Sequence, residues 1–355
     1  MLINLFITLF TTLLPSDSAT IVFAGDAMQH QRQLDVSKQR DGSYDYSGYC
    51  KSISQYVSDA DYAVINLETP IAKSKHSGYP TFNAPREFVE ELAKTGFDLF
   101  LTANNHSLDR GDRGVRQTIE LLDTLNLDHV GTYHNAKARK TAMPVIKNIN
   151  SFKVGFLNYT YGTNGISATT DIVIDYINHQ KMASDIKNTR DAGAEIICVC
   201  IHWGEEYKLL PNNSQKSMAD FLISQNVDLI IGSHPHVIQP AEIRTNPITG
   251  HKALLVYSLG NFVSNMTKGH SQGGMMVRVN LCRDEQGKAI IDNADYRLIF
   301  TLHPQDKSEN YKVIPIDKDT NIDAEAGVMS MKCHSFTSTA LNLLNKYNIG
   351  VTRGK

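Results

Sequence analysis

The sequence predicts an α/β fold, and three observations carry that expectation. From Ile21 onward, short apolar runs alternate with segments whose apolar residues recur at helical spacing. Gly96, Gly193 and Asn226 each follow such a helical segment, where a left-handed capping residue is expected. The 355 residues, 41% of them hydrophobic, suffice for one sizeable core, and no internal repeat, low-complexity tract or linker divides them.

Taken in order, residues 1–14 are nearly all apolar or Thr and lead into Pro15-Ser16-Asp17-Ser18-Ala19. An apolar stretch followed by small residues reads as a secretory signal peptide over 1–19, too short to span a bilayer comfortably. No Lys or Arg precedes it, so a retained anchor and a buried first helix or strand stay open as alternatives. Strands are predicted over 20–25, 62–66, 99–102, 154–158, 195–201, 229–232 and 253–258. Helices are predicted over 86–95, 112–125, 180–192 and 214–225, and antiparallel strands over 275–281 and 296–302 close the domain. The main domain is thus 20–304. Residues 305–355 form a C-terminal extension packed on it, with a final helix over 338–347.

A formal net charge of -2, with no dense basic block, argues against a nucleic-acid partner, because gripping phosphates takes concentrated Lys and Arg. The five cysteines have neither metal-like spacing nor a disulfide framework, although one distant pair stays open for an exported protein. Cys198 and Cys200 alternate within an apolar run and therefore share one face of a strand.

The informative regularity is positional: nearly every apolar strand delivers a polar side chain at its C-terminal end. These are Asp26, then Asn66 with Glu68, then Asn104-Asn105-His106, His202, His234 with His236, and Asn261. In open α/β sheets the ligand crevice lies outside the carboxyl ends of the strands. His234-Pro235-His236, directly after a buried strand, is hard to satisfy in an apolar core, and neutral imidazole is a common metal ligand. Asn105 is a hard oxygen donor, and Asp26 and Glu68 add anionic donors. A carboxylate among them could bridge two metals ~3.5–4 Å apart. His106 is placed to pass a proton to a leaving group, and Asp109 to hold its tautomer. Blander readings stay open: Asn104 and Asn105 as a tight turn, Trp203 as packing, Glu205 as a proton acceptor, a supporting hydrogen-bond partner or solvated surface.

At these residues the chain resembles the bacterial capsule-synthesis CapA family, itself similar to calcineurin-like metallophosphoesterases. The blocks are Gly25-Asp26, Asn66-Leu67-Glu68, Asn104-Asn105-His106, His202-Trp203-Gly204, Gly232 to His236 and Ser258 to Phe262. The resemblance implies a metallophosphoesterase-like sandwich of two mixed β-sheets flanked by helices, with the site at the strand ends. It implies one or two divalent cations (manganese, iron, zinc or magnesium). Asp26 and His236 would hold one, Asn105, His202 and His234 the other, with Glu68 bridging and His106 as proton donor; apart from the resemblance, Asn66, Asn104, Asn261 and Glu205 are expected to orient groups around the centre. Metallophosphoesterases usually carry His two residues after the first Asp. This chain has Met28 there, a poor ligand for a hard ion, and a Glu in place of the bridging Asp. His30 is the candidate substitute, with a substrate contact or a surface role as its alternatives.

The function implied is a metal-dependent hydrolase of capsule or poly-γ-glutamate-like envelope polymer metabolism, cleaving a phosphoester or γ-glutamyl amide bond. A non-catalytic polymer-binding assembly component and a phosphodiesterase or nucleotidase are the alternatives. Expected partners are an extracellular polymer or small-molecule substrate and capsule-assembly membrane proteins. The expected location is periplasmic or at the cell surface.

Overall fold

The computed structural model describes residues 17–306 and 309–354. Two mixed β-sheets stack face to face. The first follows the order Lys312–Ile316, Ala289–Leu302, Gly273–Arg283, Ser18–Ala27, Tyr62–Leu67, Leu99–Leu101 and Asp128–Val130. Asn261–Val263 pairs beside Ser18–Ala27, and Thr352–Arg353 beside Ala289–Leu302. The second runs Ile238–Thr245, Lys252–Leu259, Leu229–Ser233, Ile196–His202, Phe152–Thr160 and Val145–Ile149. Its four inner strands are mutually parallel and its two edges antiparallel. The expected sandwich of two mixed sheets flanked by helices is what the chain forms.

Alternation along each strand builds the layers, since successive side chains leave on opposite faces. Ile21 and Phe23 point into the core between the sheets, alongside Phe156, Cys198, Cys200 and Leu254. Val22 and Ala24 point outward, into a layer shared with Phe88, Val89 and Leu92 of the helix Arg86–Thr95. On the second sheet Ile197, Val199 and Ile201 face outward to Met182 and Ile186 of His179–Asp191 and to Leu222 of Asn213–Ser224. Each fully buried Phe or Leu in these layers contributes ~1.5–3 kcal/mol relative to exposure.

The helix ends obey the expected stop signals. Arg86–Thr95 stops at Gly96 with φ 115°, and Gly193 and Asn226 also take positive φ after their helices. Of the expected leader, 1–19, residues 1–16 lie outside the described residues. Ser18 and Ala19 pair with Cys282 and Leu281 in the first sheet, and Ala19 is buried. Among the described residues no helix is long and apolar enough to cross a membrane. All five cysteines are free, so the distant pair left open by the sequence is not formed.

The C-terminal extension is part of the sandwich. Its helix spans Ser330–Tyr347, eight residues longer at the start than expected, because Cys333 and Phe336 already reach the inter-sheet core from a stretch rich in Ser, Thr and His. Beyond it, the Ile349 N–H donates to Ala241 O (3.1 Å) and the Ile243 N–H to Ile349 O (2.7 Å). This covers the edge strand Ile238–Thr245, whose Pro240 hid it from a strand reading.

Candidate metal centre

Both sheets deliver their polar strand ends to one place. In the first, the pairing of Ser18–Ala27 with Tyr62–Leu67 shifts register between Ala24 and Asp26. Gly25 makes that shift feasible, since a Cβ there would collide with the carbonyl oxygen of Gly260. Glu68 follows its strand directly, its N–H donating to Ala27 O at 3.0 Å. In the second sheet His202 and Ser233 end adjacent parallel strands and pair in register. His234 and His236 then take φ of 96° and 58°, a left-handed conformation unusual for residues with a side chain, and both rings are buried. Strain of this kind is kept where the surroundings over-determine it, as at a ligand site.

The side chains converge. His202 Nε2 lies 2.8 Å from Asn105 Oδ1 and 3.5 Å from Glu68 Oε1, and its Nδ1 lies 2.9 Å from Ser233 Oγ. His236 Nδ1 is 3.2 Å from Asp26 Oδ2 and 3.0 Å from Asn261 Oδ1, while its Nε2 is 3.8 Å from Glu68 Oε1. Asn66 Nδ2 donates to Asp26 Oδ1 at 2.7 Å. Asn104 Nδ2 donates to Leu67 O at 2.8 Å, tying the third strand end to the second. Two of the three donor sets that close to within 4.8 Å are Asp26 with Glu68 and His236, and Glu68 with His202 and His234. They share Glu68.

Glu68 is the anomaly. Both its carboxylate oxygens are buried and neither has a hydrogen-bond partner, and His234 Nδ1 is likewise unpartnered. A buried carboxylate without donors costs several kcal/mol unless a positive charge offsets it. Burial first, and then the Asp26 carboxylate, push the Glu68 acid well above its usual range. Asp26 goes the other way: burial raises it, but the hydrogen bond and charge of His236, with help from His202 and Asn66, hold it below the ordinary value. Burial drives His202 down to about 3, and burial with the neighbouring imidazoles drives His234 far below its usual value. Burial opposes the charge on His236 too, yet Asp26 outweighs it and lifts that ring. Neutral imidazoles facing unsatisfied carboxylate oxygens are a donor set for a divalent cation.

Beside this cluster His106 Nδ1 lies 2.7 Å from Asp109 Oδ2, which also accepts the Phe82 N–H at 2.7 Å. Asp109 thereby fixes the His106 ring, and Phe82 packs edge-on against it at 4.6 Å between centroids. The structure thus brings together Asp26, Glu68, Asn66, Asn104, Asn105, His106, Asp109, His202, His234, His236 and Asn261. Two candidates lie outside the donor sets. His30 belongs to neither donor set: its Nδ1 accepts the Asn265 N–H at 3.3 Å, its ring packs on Phe82, and burial lowers its pKa to about 4. Met28 is buried. Glu205 is exposed and accepts from Asn212 Nδ2 at 3.1 Å. The residue beside it, Glu206, closes to within 4.8 Å of His234 and His236. The chain turns there, Tyr207 taking φ 64° with its N–H donating to Pro235 O at 2.8 Å, and that turn carries no periodic signal in the sequence.

Known proteins place this chain in a family. The chain is 27% identical over 321 residues to the "Capsule biosynthesis protein CapA" of Bacillus anthracis, covering 86% of this chain and 72% of that protein. It is 27% identical over 326 residues to the "PGA biosynthesis protein CapA" of Bacillus subtilis (strain 168), covering 86% of this chain and 79% of that protein. Among solved structures, the calcineurin-like phosphoesterase YfkN from Bacillus subtilis aligns at a TM-score of 0.47 and 11% identity over 91% of this chain and 98% of its own. Residues 20–266, which hold every donor of the centre, match the family described as bacterial capsule synthesis protein PGA_cap, and the chain belongs to that family.

Proposed function

We propose that this protein is a metal-dependent hydrolase that acts on an envelope polymer or a phosphorylated or amide-linked fragment of one, outside the cytoplasm. The observation that carries the reading is the pair of orphaned Glu68 oxygens ringed by His202, His234, His236 and Asp26. The donor set fits a divalent cation, with Asp26, Glu68 and His236 holding one position and Glu68, Asn105, His202 and His234 the other. A cation bound there supplies Lewis acidity to the scissile acyl or phosphoryl group and eases deprotonation of water.

The chain's own groups do the rest. Asp109 accepts the Nδ1–H of His106, so the protonated ring presents Nε2–H to the departing group and returns to neutral imidazole on giving that proton up. Ser233 fixes the His202 ring through Nδ1, and Asn261 and Asp26 fix His236 in the same way. Tyr161, its ring 4.7 Å from that of His234 and itself half-exposed, walls the open side where substrate enters. The names of the two relatives supply the capsule context, and poly-γ-glutamate is the first polymer to assay.

The test is elemental analysis and turnover by the purified full chain, on model phosphoesters, γ-glutamyl amides and poly-γ-glutamate. Bound divalent metal with turnover that disappears in His106→Ala supports the reading. Polymer binding that survives both chelator and His234→Ala, with no turnover on any substrate, would replace it with a non-catalytic assembly role.

A further inference from the structure

We infer that Glu206 is a metal ligand, the outer carboxylate of the cation position that Asp26, Glu68 and His236 begin. The inference rests on the metal-centre reading above and adds a residue to it. The first position is short of donors on this chain. Where a second nitrogen ligand would come from the first strand, the side chain is the buried thioether of Met28, and His30 is engaged elsewhere through Nδ1. That leaves three donor residues at the first position, against four (Glu68, Asn105, His202 and His234) at the second.

Glu206 closes a further donor set with His234 and with His236, the nitrogen donor of the first position. One of its carboxylate oxygens lies within 4.8 Å of nitrogen atoms of both His234 and His236. The His234 ring is 4% exposed and its Nδ1 has no partner, so a buried donor is left open in the same cluster. The loop is set for this approach: the Tyr207 N–H donates to Pro235 O, pinning the chain one residue after Glu206 to the residue between the two histidines. Gly204, at φ 92° with a Cβ position that would collide with Gln215, lets the loop make that turn. Glu206 is itself exposed, unlike the other donors, and so forms the solvent-side wall of the centre. A hard carboxylate oxygen replacing a nitrogen donor shifts the first position towards manganese or magnesium and away from zinc.

The experiment is Mn2+ titration of the metal-stripped full chain, followed by calorimetry and by the electron paramagnetic resonance signal of free Mn2+. Wild type is compared with Glu206→Gln, Asp26→Asn and Glu205→Gln. The expected result is that Glu206→Gln and Asp26→Asn weaken the same binding step by on the order of tenfold or more. Glu205→Gln, one residue away, is expected to leave both steps unchanged. Isotherms of Glu206→Gln that overlay wild type would overturn the inference and leave the metal centre standing. A wild-type chain that binds no Mn2+, Mg2+ or Zn2+ would overturn both.

Discussion

Glu68 concentrates the chemistry of the site at the scale of single residues. A carboxylate with two buried, unpartnered oxygens is tolerated where a cation is its partner. Glu68→Gln is therefore expected to abolish metal binding while leaving the metal-free protein at least as stable, since it removes a charge that the fold does not satisfy. Thermal denaturation with and without Mn2+ reads this directly, and a metal-induced rise in Tm that persisted in the variant would contradict it. Asp109 contacts His106 and the Phe82 N–H and is in none of the donor sets. Asp109→Asn keeps an acceptor for the Phe82 N–H but no longer fixes the His106 tautomer, so kcat should fall by roughly 10²–10⁴ with Mn2+ affinity unchanged. Equal losses of metal affinity and rate would assign Asp109 to the metal centre instead.

At the scale of elements, glycines set how closely strands and turns approach. A Cβ on Gly232 would run into the Tyr257 carbonyl of the neighbouring strand and into Trp203, immediately before the two histidines. Gly232→Ala is expected to cost ~1–3 kcal/mol by forcing the strands apart, measured by urea denaturation. It should also weaken metal binding, because the displaced strand end carries His234. The C-terminal helix Ser330–Tyr347 makes a second test of element packing. Phe336 is buried against Phe300 at 5.6 Å between ring centroids, so Phe336→Ala should destabilise the sandwich by ~3–5 kcal/mol. Metal affinity should be untouched, since none of the donors lies on that helix.

For the whole molecule, the donors meet only if the two sheets meet: Asp26 and Glu68 come from one layer, His202, His234 and His236 from the other. A cation held between them binds the folded state and not the unfolded one. At a concentration about a hundredfold above Kd it should add ~2.7 kcal/mol of stability, and a chelator should remove that gain. A Tm indifferent to metal and chelator would mean that the layers are held by the apolar core alone.

Much of this was legible before any coordinates. Strand and helix positions follow from local periodicity. The donors sit directly after the strands in the sequence, so Asp26, Glu68, Asn105, His202, His234 and His236 could be named from their neighbours. Three things were not local. His30 is drawn away from the centre by the Asn265 backbone, which lies more than two hundred residues along the chain. Glu206 rather than Glu205 faces the histidines because a positive-φ turn at Tyr207 is anchored on Pro235. The helix Ser330–Tyr347 starts early because Cys333 and Phe336 find a core built by distant strands. The order of residues determined which groups were available and on which strand ends. Which carboxylate of an adjacent pair turns inward depends on backbone turns and long-range hydrogen bonds, and these exist only once the two layers have closed.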